Sequence, residues 1–201
     1  MLLTAVFDSL VKGFEQTSYA EWFIFATAMV YVILAAIENV WCWLFGILSS
    51  FLLIYLCFSG KLFLESGLQV FYVIIGLYGW YQWLYGSKER TELTIVSFSL
   101  LRIVYLSIIG CLLWIPLGYI AQRYSTQAMP YLDAFITSFS IIATWMTAKK
   151  IIQNWLFWLI IDASAILLYA YRGFHLIALL YIIYTFLALV GYFQWRKKIN
   201  L

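Results

Sequence analysis

Read as apolar and polar positions, the chain is a succession of long apolar runs separated by short polar breaks. The runs are Trp22 to Ile37, Val40 to Phe58, Leu68 to Tyr85, Ile103 to Ile120, Tyr131 to Ala148, Trp155 to Tyr171 and Leu176 to Trp195. A transmembrane helix needs about 20 predominantly apolar residues, so each run predicts a membrane-spanning helix, seven in all. The first is short unless it extends back through Tyr19 to Glu21. Residues 1–18 differ: Leu2, Leu3, Val6, Phe7, Leu10, Val11 and Phe14 recur at helical spacing, with Asp8, Lys12 and Glu15 on the other side. That pattern predicts an amphipathic helix lying in the membrane interface. It lacks a basic stretch ahead of an apolar core, so a cleaved leader is not expected.

The runs repeat. Gly79-Trp80-Tyr81-Gln82-Trp83 is echoed 112 residues later by Gly191-Tyr192-Phe193-Gln194-Trp195. Asn39 with Trp43 is echoed 115 residues later by Asn154 with Trp158. Spans one to three therefore form one unit and spans five to seven a second, with span four as a connector. The expected organisation is 1–18 amphipathic segment, 19–87 first three-helix repeat, 88–128 connector with helix four, and 129–198 second repeat. An odd number of spans and one connector make the repeats parallel, and such repeats enclose their binding site near the midplane. On the second offset, Ile47 of the first repeat stands where Asp162 stands in the second; on the first, Gln69 and Tyr72 match Tyr181 and Tyr184.

Composition narrows the class. The chain is 66% hydrophobic and 10% charged, a balance no soluble domain needs, and the alternating ten-residue segments of a membrane barrel are absent. The net charge of +3 sits mostly in loops and points to membrane orientation, not nucleic acid. Lys12, Lys61, Arg123 and Arg172 fall on one side; Lys88, Arg90, Lys149, Lys150, Arg196, Lys197, Lys198 and, by snorkelling, Arg102 fall on the other. The excess marks the cytoplasmic face, placing the amino terminus outside and the carboxyl terminus inside. Cys42, Cys57 and Cys111 read as free thiols, and His175 is the sole histidine, too little for a histidine metal site or a catalytic dyad. No phosphate-binding GxxxxGK loop occurs, and no cofactor is expected.

Candidate chemistry centres on Asp162, a carboxylate in the middle of an apolar run. Near a bilayer centre it costs roughly 2.5–3.5 kcal/mol and persists where it faces a partner or a wet cavity. Trp155, Trp158, Asp162 and Tyr169 fall along one helical stripe, suited to a flat polar or cationic molecule. Gln69 is an amide inside an apolar span and also needs a partner. On helix five Asp133, Thr137, Ser140, Thr144 and Thr147 follow one another at helical spacing; the plain reading of the hydroxyls is back-bonding to carbonyls. Glu38 and the Lys149–Lys150 pair read as boundary charges.

At Gln69-Val-Phe-Tyr, Tyr78-Gly-Trp-Tyr-Gln-Trp, Phe45-Gly46, Leu132-Asp133 and Asn154-Trp-Leu-Phe-Trp, the sequence resembles the PnuC family of bacterial nicotinamide riboside transporters across all seven spans. The resemblance implies an all-α, three-plus-one-plus-three fold like that of SWEET sugar transporters, a homotrimer in the bacterial inner membrane, and facilitated diffusion of a phosphate-free vitamin precursor. It also implies substrate contacts at Gln69, Tyr72, Asp133, Thr137, Trp155, Trp158 and position 162. There the family usually carries asparagine and this chain carries Asp162, which leaves the particular vitamin open. Transport of another vitamin or a sugar, a ligand sensor without transport, and an intramembrane enzyme built on Asp133 and Asp162 are the other classes; the last lacks the flanking signatures of aspartyl proteases.

Overall fold

The structure is a computed structural model that describes residues 2–59, 63–87, 89, 91–124, 126 and 128–199, with backbone alone at 2–6, 9 and 63–65. Eight helices follow in order: α1 Leu2–Gln16, α2 Tyr19–Ala36, α3 Cys42–Ser59, α4 Phe63–Tyr85, α5 Leu100–Tyr124, α6 Pro130–Ala148, α7 Asn154–Tyr171 and α8 His175–Ile199. Among the described residues there is no sheet; one isolated bridge pairs Val96 with Ile151. All seven predicted runs are helical, and five helices, α2, α3, α5, α7 and α8, are long and apolar enough to cross a bilayer. In lipid a helix satisfies its own backbone, which is why these apolar runs take no other form.

The first long helix starts earlier than its apolar run because Ser18 and Glu21 form a capping box. The Ser18 Oγ accepts from the Glu21 N–H, and the Glu21 carboxylate accepts from the Ser18 N–H at 2.7 Å. In α1, Phe7, Val11 and Phe14 are exposed apolar groups opposite exposed Asp8, Lys12 and Glu15, the arrangement of an interfacial helix. The side chains of Leu2, Leu3 and Val6, invoked for the same face, lie outside the described set, as do Lys61, Lys88 and Arg90 of the charge asymmetry.

Several helix boundaries repeat at one offset. α2 and α6 end at Ala36 and Ala148, α3 and α7 start at Cys42 and Asn154, and α4 and α8 start at Phe63 and His175, always with the 112-residue separation that also spans Glu38 and Lys150. This corrects the second sequence echo. Asn39 lies in the turn before α3, where its Oδ1 accepts from the Trp41 N–H, whereas Asn154 is the first residue of α7. The residue matching Trp43 is therefore Trp155, and the one matching Asp162 is the buried Ser50 rather than Ile47.

The chain forms two compact units, Met1–Thr17 with Ser97–Thr144 and Gln153–Leu189, and Ser18–Val96 with Trp145–Ile152 and Val190–Leu201. In the second, α3 packs on both α2 and α4. Gly79 of α4 lets the Trp43 ring lie directly on its backbone, and Trp43, Trp83 and Trp195 are fully buried. Trp43 meets Trp83 edge-on at 5.6 Å, and Trp83 lies 5.9 Å from Trp195. In the first unit, Gly110 and Gly118 of α5 admit the rings of Phe139 and Tyr131 of α6, the Trp114 indole donates to the Tyr131 carbonyl at 2.7 Å, and Phe139 continues onto Phe157 of α7. Here α1 touches α8 where Gly13 meets Leu176.

Candidate functional site

The start of α7 is held by Gln153. Its side-chain amide donates to the Ser97 hydroxyl and the Phe98 carbonyl at 2.8 and 2.9 Å and accepts from the Phe98 N–H at 3.1 Å. This anchor fixes the rotation of α7, so the predicted stripe has a defined aim. Trp155 is 3% exposed, Trp158 is half-buried one turn on, and Asp162 is 3% exposed a turn beyond that. No hydrogen-bonding or ion-pairing side chain for the Asp162 carboxylate is present among the described residues, and the polar group within its electrostatic reach is the Tyr184 phenol of α8. Further along, Tyr169 of α7 stacks on Tyr181 at 5.5 Å and 11°, and Tyr181 meets Tyr184 edge-on at 5.8 Å. Asp162 thus lies near the Tyr184 end of an aromatic row shared by α7 and α8, whose far end, Tyr169, is near Asp133 and Arg172. Leaving an ionised carboxylate desolvated and unpaired is costly, so the arrangement suits a visiting cation or donor.

Asp133 is placed elsewhere. It lies in the first turn of α6, its side chain 37% exposed, bound at 2.9 Å by Arg172 from the end of α7. Arg172 also donates to the Ala128 carbonyl at 2.8 Å. The carboxylate expected among the substrate contacts thus takes part in a clasp at the helix ends. Thr137 is half-buried one turn further into α6. In the hydroxyl stripe Thr144 donates back to the Ser140 carbonyl at 2.7 Å, as the plain reading expects, and Ser138 beside the stripe donates likewise to the Ala134 carbonyl.

Gln69 and Tyr72 are half-buried on α4 in the other unit, where Tyr72 lies near Tyr31 and Tyr31 meets Trp43 edge-on at 6.0 Å. Tyr31 carries no signal in the apolar pattern, because one tyrosine among many in a long run stands out only once Trp43 is seen against it.

The boundary charges are the largest surprise. Lys150 is buried, yet its Nζ lies 2.6 Å from Glu38 and 4.7 Å from the centre of the Trp83 ring. The exposed Lys198 reaches the other Glu38 oxygen at 2.5 Å. Burial pushes the Glu38 carboxyl up, but hydrogen bonds and charge from Lys150 and Lys198 outweigh it and hold Glu38 below its ordinary value. Lys149 donates to Gln82 Oε1 at 3.2 Å and lies over the Tyr78 ring.

Apolar helices of spanning length, an anchored helix carrying a buried carboxylate, and close helix packing at glycine describe a polytopic helical membrane protein with an acid in its interior. A model of the family described as nicotinamide mononucleotide transporter matches residues 18–197, and the chain belongs to that family. It is 28% identical over 187 residues to the nicotinamide riboside transporter PnuC of Escherichia coli K12, covering 81% of this chain and 78% of that one. It is 26% identical over 164 residues to the riboflavin/roseoflavin transporter RibM of Streptomyces davaonensis, with coverage of 79% and 75%. The crystal structure of the vitamin B3 transporter PnuC superposes with a TM-score of 0.73 at 21% identity, over 99% of this chain and 90% of that one, and so shares the fold. The family is one of transporters, not enzymes.

Proposed function

We propose that this chain carries nicotinamide riboside across a bacterial inner membrane by facilitated diffusion. The observation that carries the reading is the buried Asp162, without a hydrogen-bond or ion-pair partner among the described residues, on the same helix as Trp155 and Trp158. The pyridinium ring of nicotinamide riboside is a flat cation. Over an indole face it gains about 0.5–2 kcal/mol, and a nearby carboxylate adds charge attraction. Thr137, Gln69, Tyr72 and the free face of Asp133 are the remaining candidate contacts, each to be tested singly. The matched 112-residue helix register supports seven spans arranged as two parallel three-helix repeats around a connector, over residues 19–87 and 129–198, as in SWEET transporters. A homotrimer with its amino terminus outside completes the proposal; the charge bias among loops supports that orientation.

The similarity to RibM favours a second reading, a flavin as cargo. Purified protein in vesicles with empty lumens separates them. Labelled nicotinamide riboside should enter until inside and outside concentrations match, with no added gradient. Entry of riboflavin and not of nicotinamide riboside would replace the first reading with the second, and entry of neither would end both.

A further inference from the structure

The ends of α2 and α6 are built alike. After Ala36, Glu38 turns left-handed at φ 63°, its N–H bonding to the Ala35 carbonyl and that of Asn39 to the Leu34 carbonyl. After Ala148, Lys150 does the same at φ 50°, with Thr147 and Met146 as acceptors. Both are helix-ending motifs that ordinarily use glycine, and a residue with a side chain is strained there. Two such residues, of opposite charge, face each other at 2.6 Å. Strain held at a matched pair points to a use beyond ending two helices.

The surroundings say which. Trp83 donates its indole N–H to the Thr147 carbonyl at the end of α6, and Trp195 donates to the Ala35 carbonyl at the end of α2, both at 3.0 Å. Met146, Thr147, Ala148, Ala35 and Ala36 are 2% exposed or less. This end of the two helices is buried and closely packed. Breaking a buried ion pair normally strands a charge at a cost of several kcal/mol. Glu38, however, has a second, exposed partner in Lys198, whose side chain is 51% exposed. If the end of α6 withdraws, Lys150 goes to water and Glu38 stays paired.

We propose that Glu38 and Lys150 form a gate that closes this end of the molecule, with Lys198 as the standby partner that lowers the cost of opening it. The inference rests on the transport reading above. Cysteines replace Glu38 and Lys150 in full-length protein with Cys42, Cys57 and Cys111 changed to serine. The pair is then bridged in vesicles by a bis-methanethiosulfonate matched to the Lys–Glu span. Bridging should abolish nicotinamide riboside uptake, and reductant should restore it. Uptake that continues through the bridge overturns the gate, because the end then never opens. Lys198→Met covers the case in which the double variant is inert in both states. It alters one exposed side chain and should slow uptake about threefold with binding affinity unchanged; unchanged uptake overturns the proposal. If the parent itself takes up no nicotinamide riboside, the transport reading fails instead.

Discussion

Glu38 and Lys150 stand 112 residues apart, share a left-handed backbone, and are joined by a 2.6 Å ion pair. Each ends a helix in the same way, so the contact relates two equivalent points of the chain to each other. The Trp83 and Trp195 rings, also matched in sequence at the same separation, lie 5.9 Å apart. Their indoles donate to matched acceptors, Trp83 to the Thr147 carbonyl of α6 and Trp195 to the Ala35 carbonyl of α2.

Acid should loosen this contact. Lys150 and Lys198 hold Glu38 below its ordinary carboxyl value, so the bound state favours the ionised form. The resulting stabilisation is fully present above the ordinary carboxyl range near 4.5 and is lost as pH falls through the lowered value. The thermal midpoint of detergent-solubilised parent should exceed that of Glu38→Gln at neutral pH, and the gap should close on acidification below that range. A gap that stays constant with pH would show that the carboxylate's charge adds nothing.

Trp83→Phe and Trp195→Phe should cost similar amounts, about 1–2 kcal/mol each, from one lost buried hydrogen bond and some lost packing. The figure sits low in the range for buried donors because the Thr147 and Ala35 carbonyls keep the backbone bonds from Lys150 and Glu38. Melting of the two variants side by side checks it, and a large asymmetry would break the match.

The helices were legible because an apolar run in lipid has one stable form, and Asp162 was legible because a lone acid in such a run is expensive. The early start of α2 was written in Ser18 and Glu21, a local signal outside the apolar pattern. What escaped was pairing at a distance. Lys150 looks like a loop charge in any window of sequence, since its partner Glu38 belongs to another helix end. The ion pair of Asp133 was hidden for the same reason, because Arg172 lies far along the chain. The Asn39 and Asn154 echo misled because identical residues sit on either side of a helix boundary.

Close packing of α3 on α4 depends on Gly79. A methyl group there would run into the Trp43 ring, itself fully buried and pinned between Tyr31 and Trp83. Gly79→Ala should therefore destabilise by about 1–3 kcal/mol despite alanine's better helix propensity. Gly67→Ala, on the same helix with nothing within 4 Å of the added carbon, should be neutral or stabilising by up to about 1 kcal/mol. Equal melting of the two variants would mean that Trp43 yields freely.

Asp162→Asn separates charge from shape. The amide matches the carboxylate in size, so the wall of Tyr169, Tyr181 and Tyr184 keeps its packing. Replacing a buried carboxyl that has no ion-pair partner among the described residues by an amide should leave the empty protein equally or more stable. Nicotinamide riboside should bind about tenfold more weakly, the equivalent of roughly 1.4 kcal/mol of lost charge attraction. Uncharged nicotinamide should bind the two proteins alike. Calorimetric titration of both ligands against both proteins tests this, and nicotinamide riboside binding Asp162→Asn as tightly as the parent would remove any role for the charge. Weakening of both ligands together would instead assign Asp162 a part in shaping the aromatic wall.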